Sequence, residues 1–169
     1  MASQLEIDRL YSHIGALANS QQEAAIVPAS QTEVIVEQVP NSEIVATVMR
    51  AVSQAREEVK MTMLLSEEKE TPLNEDYHEL IKLKVSDGIK ITRIGFGDEE
   101  DFKFMEEKLG IQGATYDFKR CFDVTAYQRF IMVDNNFLFF KFEDTYYRTW
   151  DASIIQQFQT YFDRVPSLT

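Results

Sequence analysis

Residues 127–142 read YQRFIMVDNNFLFFKF: two apolar, aromatic-rich runs split by Asp134, Asn135 and Asn136. Aromatic and β-branched residues favour strands, and Asp and Asn tolerate the left-handed backbone of a tight turn. A β-hairpin is predicted, with strands over 129–133 and 137–142. Downstream, residues 146–149 read as one more strand. A helix over 151–164 then carries Ile154, Ile155, Phe158, Tyr161 and Phe162 on one side.

Upstream, strands and helices alternate. Residues 33–37 form a strand. A helix opens at Pro40-Asn41, with Asn41 as its N-cap, and runs to about residue 58. Residues 59–65 alternate and then turn wholly apolar, as an interior strand does, and residues 66–71 form a charged loop. A helix over 72–87 starts on Pro72 and ends at Gly88. Residues 89–94 are a strand. The helix over 98–109 has acidic residues in its first turn, where the helix dipole favours them, and Gly110 ends it. Residues 115–118 are a short strand. This order predicts an α/β domain: a layered mixed sheet with helices on both faces. The domain spans residues 32–169. Residues 1–31 are an appended amphipathic helix and linker, with Ile7, Leu10, Ile14 and Leu17 on one stripe of the helix over 4–18.

The whole chain has 169 residues, of which 44% are apolar and 27% charged. That supports one core without a metal or disulfide staple. Seventeen basic residues face 28 acidic ones, a formal net charge of −11. Such a balance repels nucleic acid and anionic membrane. The expected partners are therefore a second copy of the chain, another protein and a small anionic molecule, with nucleic acid and membrane excluded. The lone cysteine, Cys121, and two histidines, His13 and His78, match no metal motif. No metal and no cofactor is expected. With no apolar run of membrane-spanning length and no secretory signal, a cytoplasmic location is expected.

Gly95-Phe96-Gly97 lies between a strand and a helix, the place where a glycine-rich loop cradles phosphate. Asp98, Glu99, Glu100 and Asp101 follow at once and would repel a phosphate there, so a plain turn is the expectation. His78 sits amid carboxylates on a helix and reads as a surface residue.

The segment from Tyr127 to Asn136 resembles the core motif of the phospholipase D-like superfamily, H-x-K-x4-D on a strand leading into a hairpin. Ala55 to Val59 also looks like that superfamily's segment before a strand, and the helix with Phe158 and Phe162 looks like its closing helix. The resemblance implies a phospholipase D-like α/β fold over about residues 32–165. In the superfamily the His attacks a phosphodiester and the Lys binds the phosphate. Here those positions hold Tyr127 and Arg129, and only Asp134 is retained. The later Gly, Ser and Asn correspond to Lys141, Phe142 and Asp144. The resemblance therefore implies a scaffold without catalytic residues. Arg129 could still hold an anion through two N–H groups.

The candidate ligand-binding residues are Tyr127, Arg129, Asp134 and Arg148, with Tyr146, Tyr147 and Trp150 one strand further on. The alternative is structural: a strand and a turn residue, with Arg129 paired to a nearby carboxylate. The functional expectation is a non-catalytic regulatory or interaction domain that senses an anionic small molecule and acts through a protein partner or homodimer. The alternative is an unrecognised phosphodiesterase or hydrolase on the same scaffold.

Overall fold

The computed structural model describes residues 36–71 and 74–165. Within them seven strands form one mixed sheet in the order β1-β7-β6-β5-β2-β3-β4. The strands are β1 (Val36–Val39), β2 (Glu58–Leu64), β3 (Lys90–Phe96), β4 (Tyr116–Cys121), β5 (Phe130–Val133), β6 (Phe137–Phe142) and β7 (Thr145–Thr149). The helices are α1 (Ile44–Ser53), α2 (Leu65–Glu70), α3 (Glu75–Ser86), α4 (Glu99–Leu109) and α5 (Ala152–Arg164). β2, β3 and β4 run parallel, which requires a crossover between each pair. α3 and α4 supply those crossovers. β5, β6 and β7 extend the other half antiparallel through two hairpins, β5 pairs antiparallel with β2, and β1 pairs antiparallel with β7 at the edge.

Alternation along the strands sends side chains to two cores. On one face Ile94, Phe96, Phe130, Met132, Leu138 and Phe140 pack against Ile154, Phe158 and Phe162 of α5. Phe130 meets the Phe158, Tyr161 and Phe162 rings at centroid distances of 5.1, 5.9 and 5.8 Å. On the other face Val59, Met61, Ile91 and Val133 pack against Val52 of α1 and Tyr77, Ile81 and Val85 of α3. Met63, on the same side of β2, meets Phe102 and Met105 of α4. β3 is buried at six consecutive positions, as expected of a strand covered on both faces. The α/β class, the mixed sheet and helices on both faces are as the sequence implies.

Local signals held where the chemistry was specific. Asp134 and Asn135 have φ of 53° and 55°, the left-handed turn their residue types allow. Asp98 caps α4 through the Asp101 N–H at 2.8 Å, and Asp101 returns the bond to the Asp98 N–H at 3.2 Å. Gly110 closes the helix with φ of 54°.

Several boundaries differ from expectation. Within the described residues the first strand runs Val36–Val39, two residues beyond the expected end at 37, and residues 33–35 of that reading lie outside the described residues. Asn41 is not a cap: it begins a 3-10 turn, Asn41–Glu43, that leads into α1, and no side chain caps either. α1 ends at Ser53, well before residue 58. The expected loop over 66–71 is the helix α2, whose first turn carries Glu67 and Glu68. β4 extends to Cys121 rather than ending at residue 118. α3 is capped by Asn74, which accepts from the Asp76 N–H at 2.8 Å. Pro72 and the helix expected over residues 4–18 lie outside the described residues.

Candidate functional site

Residues 127–129 enter β5 beside the end of β2, and Thr62 fixes how. Its hydroxyl donates to the Gln128 carbonyl at 2.6 Å and accepts from the Phe130 N–H at 3.1 Å. This side chain replaces the main-chain ladder, which pairs β2 with β5 only at Val59–Val133, Lys60–Met132 and Met61–Ile131. The Gln128 side chain turns inward and donates to the Lys141 carbonyl at 2.8 Å. The residues on either side, Tyr127 and Arg129, then line a cavity of about 170 Å³ under α2 and beside the start of α1.

The Tyr127 ring stands edge-on to Phe96 at 5.3 Å. Burial pushes its phenol pKa up, and the Arg129 charge opposes that shift only in part. Arg129 is committed to Glu67, with Nη1 to Oε2 at 3.1 Å, and its guanidinium also stands 5.8 Å from the Tyr146 ring centroid. The plain pairing with a carboxylate, read as the structural alternative, is therefore present.

Asp134 and Arg148 lie elsewhere. They line a different, larger and more open cavity of about 740 Å³ with Arg50, Arg56 and Trp150. Asp134 accepts from three backbone N–H groups, those of Arg56, Glu57 and Glu58, each at 2.9 Å. Burial raises its carboxyl pKa, but the three bonds outweigh burial and hold it below the usual carboxylate range. Arg148 sits opposite Glu37 in the β1–β7 register, and its Nε donates to Glu37 Oε2 at 2.8 Å. The four candidate residues thus divide into two pairs in two cavities.

The 170 Å³ cavity also holds residues that the sequence reading missed: Glu67 and Glu68 of α2, Tyr77 of α3 and Arg93 of β3. Arg93 had a signal in the sequence, a charged residue between Ile91 and Ile94 in the middle of β3.

No family model matches the chain, and neither does any curated protein. Solved structures do match. A phospholipase D family member, Nuc from Salmonella typhimurium, superimposes with a TM-score of 0.55 at 12% identity, covering 80% of this chain and 95% of Nuc. TrmBL2, an archaeal chromatin protein, superimposes with a TM-score of 0.54 at 13% identity over 93% of this chain, which spans 64% of TrmBL2. Polyphosphate kinase from Porphyromonas gingivalis gives 0.55 at 10% identity over 87% of this chain, which spans 29% of the kinase. The fold is phospholipase D-like.

These likenesses overturn the expectation about partners. TrmBL2 is described as showing a novel mode of DNA binding. A fold of this kind thus occurs in a DNA-contacting protein, and net charge alone does not set nucleic acid aside. Among the described residues, no helix is long and apolar enough to cross a membrane.

Proposed function

We propose that the chain is a catalytically silent phospholipase D-like domain that binds a small molecule at the cavity beside Tyr127 and Arg129. One observation carries this reading: the motif's nucleophile position holds a phenol whose pKa burial pushes up. A nucleophile must lose its proton or hand it to a nearby base. The acids lining the cavity are Glu67 and Glu68, and Glu67 is paired with Arg129. His78, the one histidine among the described residues, does not line the cavity. The cation at the motif's phosphate-binding position is likewise engaged before any ligand arrives. Asp134 acts as a brace for the chain at residues 56–58, a role that needs no chemistry.

The test is hydrolysis of chromogenic phosphodiesters and phosphomonoesters by wild type and Tyr127→Phe. Rates equal to buffer for both are expected. Turnover by wild type that Tyr127→Phe abolishes would overturn the reading and favour the hydrolase alternative.

A further inference from the structure

Across the whole chain acids outnumber bases, 28 to 17. The open cavity of about 740 Å³ reverses that balance: its lining carries Arg50, Arg56 and Arg148 against a single acid, Asp134. The Asp134 carboxylate is already engaged by the N–H groups of Arg56, Glu57 and Glu58. Arg148 is paired with Glu37 at 2.8 Å. Arg50 and Arg56 are exposed, and among the described residues neither side chain has an ion-pair partner. With Glu37 added to the lining, three guanidiniums meet two carboxylates, and positive charge is left over. The fold places each cation. Arg50 lies in the last turn of α1, where the helix dipole favours it. The Arg56 main chain is tied to Asp134, and Arg148 stands opposite Glu37 in the β1–β7 register.

The same cavity holds the lone tryptophan of the chain. Trp150 is 51% exposed. Phe137 packs edge to face with it at 5.6 Å, and the Arg148 guanidinium stands 5.8 Å from its ring centroid. The indole is thus braced on the protein side and left open beside uncommitted cations.

We propose that this cavity binds a nucleotide unit, with its base stacked on Trp150 and its phosphate on Arg50 and Arg56. The inference goes beyond the reading above: it concerns the other cavity and does not depend on Tyr127 being silent. Three features select the class. A guanidinium fork takes a phosphate at two points. An indole open to solvent stacks any base, because every base has a π-face. The two uncommitted cations come from α1 and the turn after it, and the indole from the residue after β7. The ligand therefore needs a flat ring and a phosphate joined by a spacer, as a sugar joins them. A free nucleotide and a single strand share this chemistry, and the test separates them.

The full chain is titrated with adenosine monophosphate, a short single-stranded oligoadenylate, adenosine, phenyl phosphate and polyglutamate. Trp150 fluorescence and calorimetry are the readouts, and a lone tryptophan reports stacking directly. The monophosphate or the oligoadenylate should quench Trp150 and bind about tenfold more tightly than adenosine or phenyl phosphate. Whichever of the two binds more tightly identifies the source. The double variant Arg50→Ala/Arg56→Ala should weaken binding about tenfold or more and lower its salt dependence. Lys119→Ala removes a cation from β4, at the far edge of the sheet, and should change neither. Trp150→Ala should weaken the calorimetric affinity about tenfold. Should that variant fail to fold, the arginine double variant, altered only at exposed positions, decides. No binding of either nucleotide by wild type, an undiminished affinity in the arginine double variant, or equal binding of polyglutamate or phenyl phosphate would each overturn the proposal. Phosphodiester hydrolysis lost with Tyr127→Phe rejects the silent-enzyme reading and leaves this inference standing.

Discussion

Asp134 and Glu58 hold each other in both directions. The Asp134 N–H donates to the Glu58 carbonyl at 2.9 Å, and the Glu58 N–H donates to the Asp134 carboxylate at 2.9 Å. The hairpin turn is thereby tied to the first residue of β2, and Arg56 and Glu57 add two more bonds to the same carboxylate. Asp134, the one position that matches the motif the segment resembles, thus has a structural use in the fold.

Removing that brace should cost stability in a graded way. Asp134→Ala loses a charged acceptor for three N–H groups and places a Cβ-bearing residue poorly suited to left-handed backbone at φ 53°. A loss of about 2–4 kcal/mol is expected. Asp134→Asn keeps the turn and one acceptor oxygen and should lose about half as much. The folded carboxyl pKa is depressed, so its contribution is full above the unfolded value near 3.9 and fades as pH falls through the folded value. Urea denaturation at neutral and acidic pH should show the gap between wild type and Asp134→Asn closing in acid.

His78 should set a pH dependence higher up the scale. Its Nδ1 is buried without a partner among the described residues. Burial, and then the Arg93 charge, push its pKa below the ordinary 6.5. The unfolded chain therefore takes up the proton first, so stability is full above 6.5 and declines as pH falls from there toward the folded value. His78→Gln should flatten that slope. Arg93→Met should raise the His78 pKa, read from its ring resonances.

Gly95 admits no side chain. A Cβ there would stand 2.8 Å from the Phe118 ring and 2.9 Å from the Phe102 ring, which already pack edge to face at 6.0 Å. Gly95→Ala should destabilise by about 1–3 kcal/mol, measured by thermal unfolding.

Cys121 is fully buried, and burial pushes its thiol pKa up. Thiol reagents attack the thiolate. The native protein should leave the reagent unreacted at neutral pH, and labelling should rise only across the unfolding transition.

The sequence disclosed most where one residue type has one physical use. The Asp134-Asn135 turn, the acidic first turn of α4 and the Gly110 stop are of that kind. The sheet was legible for a related reason: β6 is an aromatic and apolar run, and β3 holds Ile91, Thr92 and Ile94, residue types that favour strands. α2 was read as a loop because six residues with a single apolar anchor, Leu65, give no helical period. Asn41 is not a cap because the helical turn starts one residue earlier than expected: Pro40 holds the N-cap position and Asn41 is already the first residue of the 3-10 turn.

The site was half legible. Tyr127 and Arg129 share a cavity because Thr62 and Gln128 fix the entry to β5 between them. Asp134 and Arg148 are near in sequence or strand order, yet the length of the hairpin carries them to a different cavity. Glu67 and Arg93 reach the site from α2 and β3, and no spacing rule links positions brought together only by the sheet.

In a catalytically silent domain of the kind proposed, Tyr127 forms no covalent adduct with a phosphodiester. Intact-mass spectrometry of the protein, acid-quenched moments after mixing with a chromogenic phosphodiester, tests it most directly. A mass equal to that of the untreated chain is expected for wild type and Tyr127→Phe alike. A phosphoryl adduct on wild type that Tyr127→Phe lacks would contradict the account.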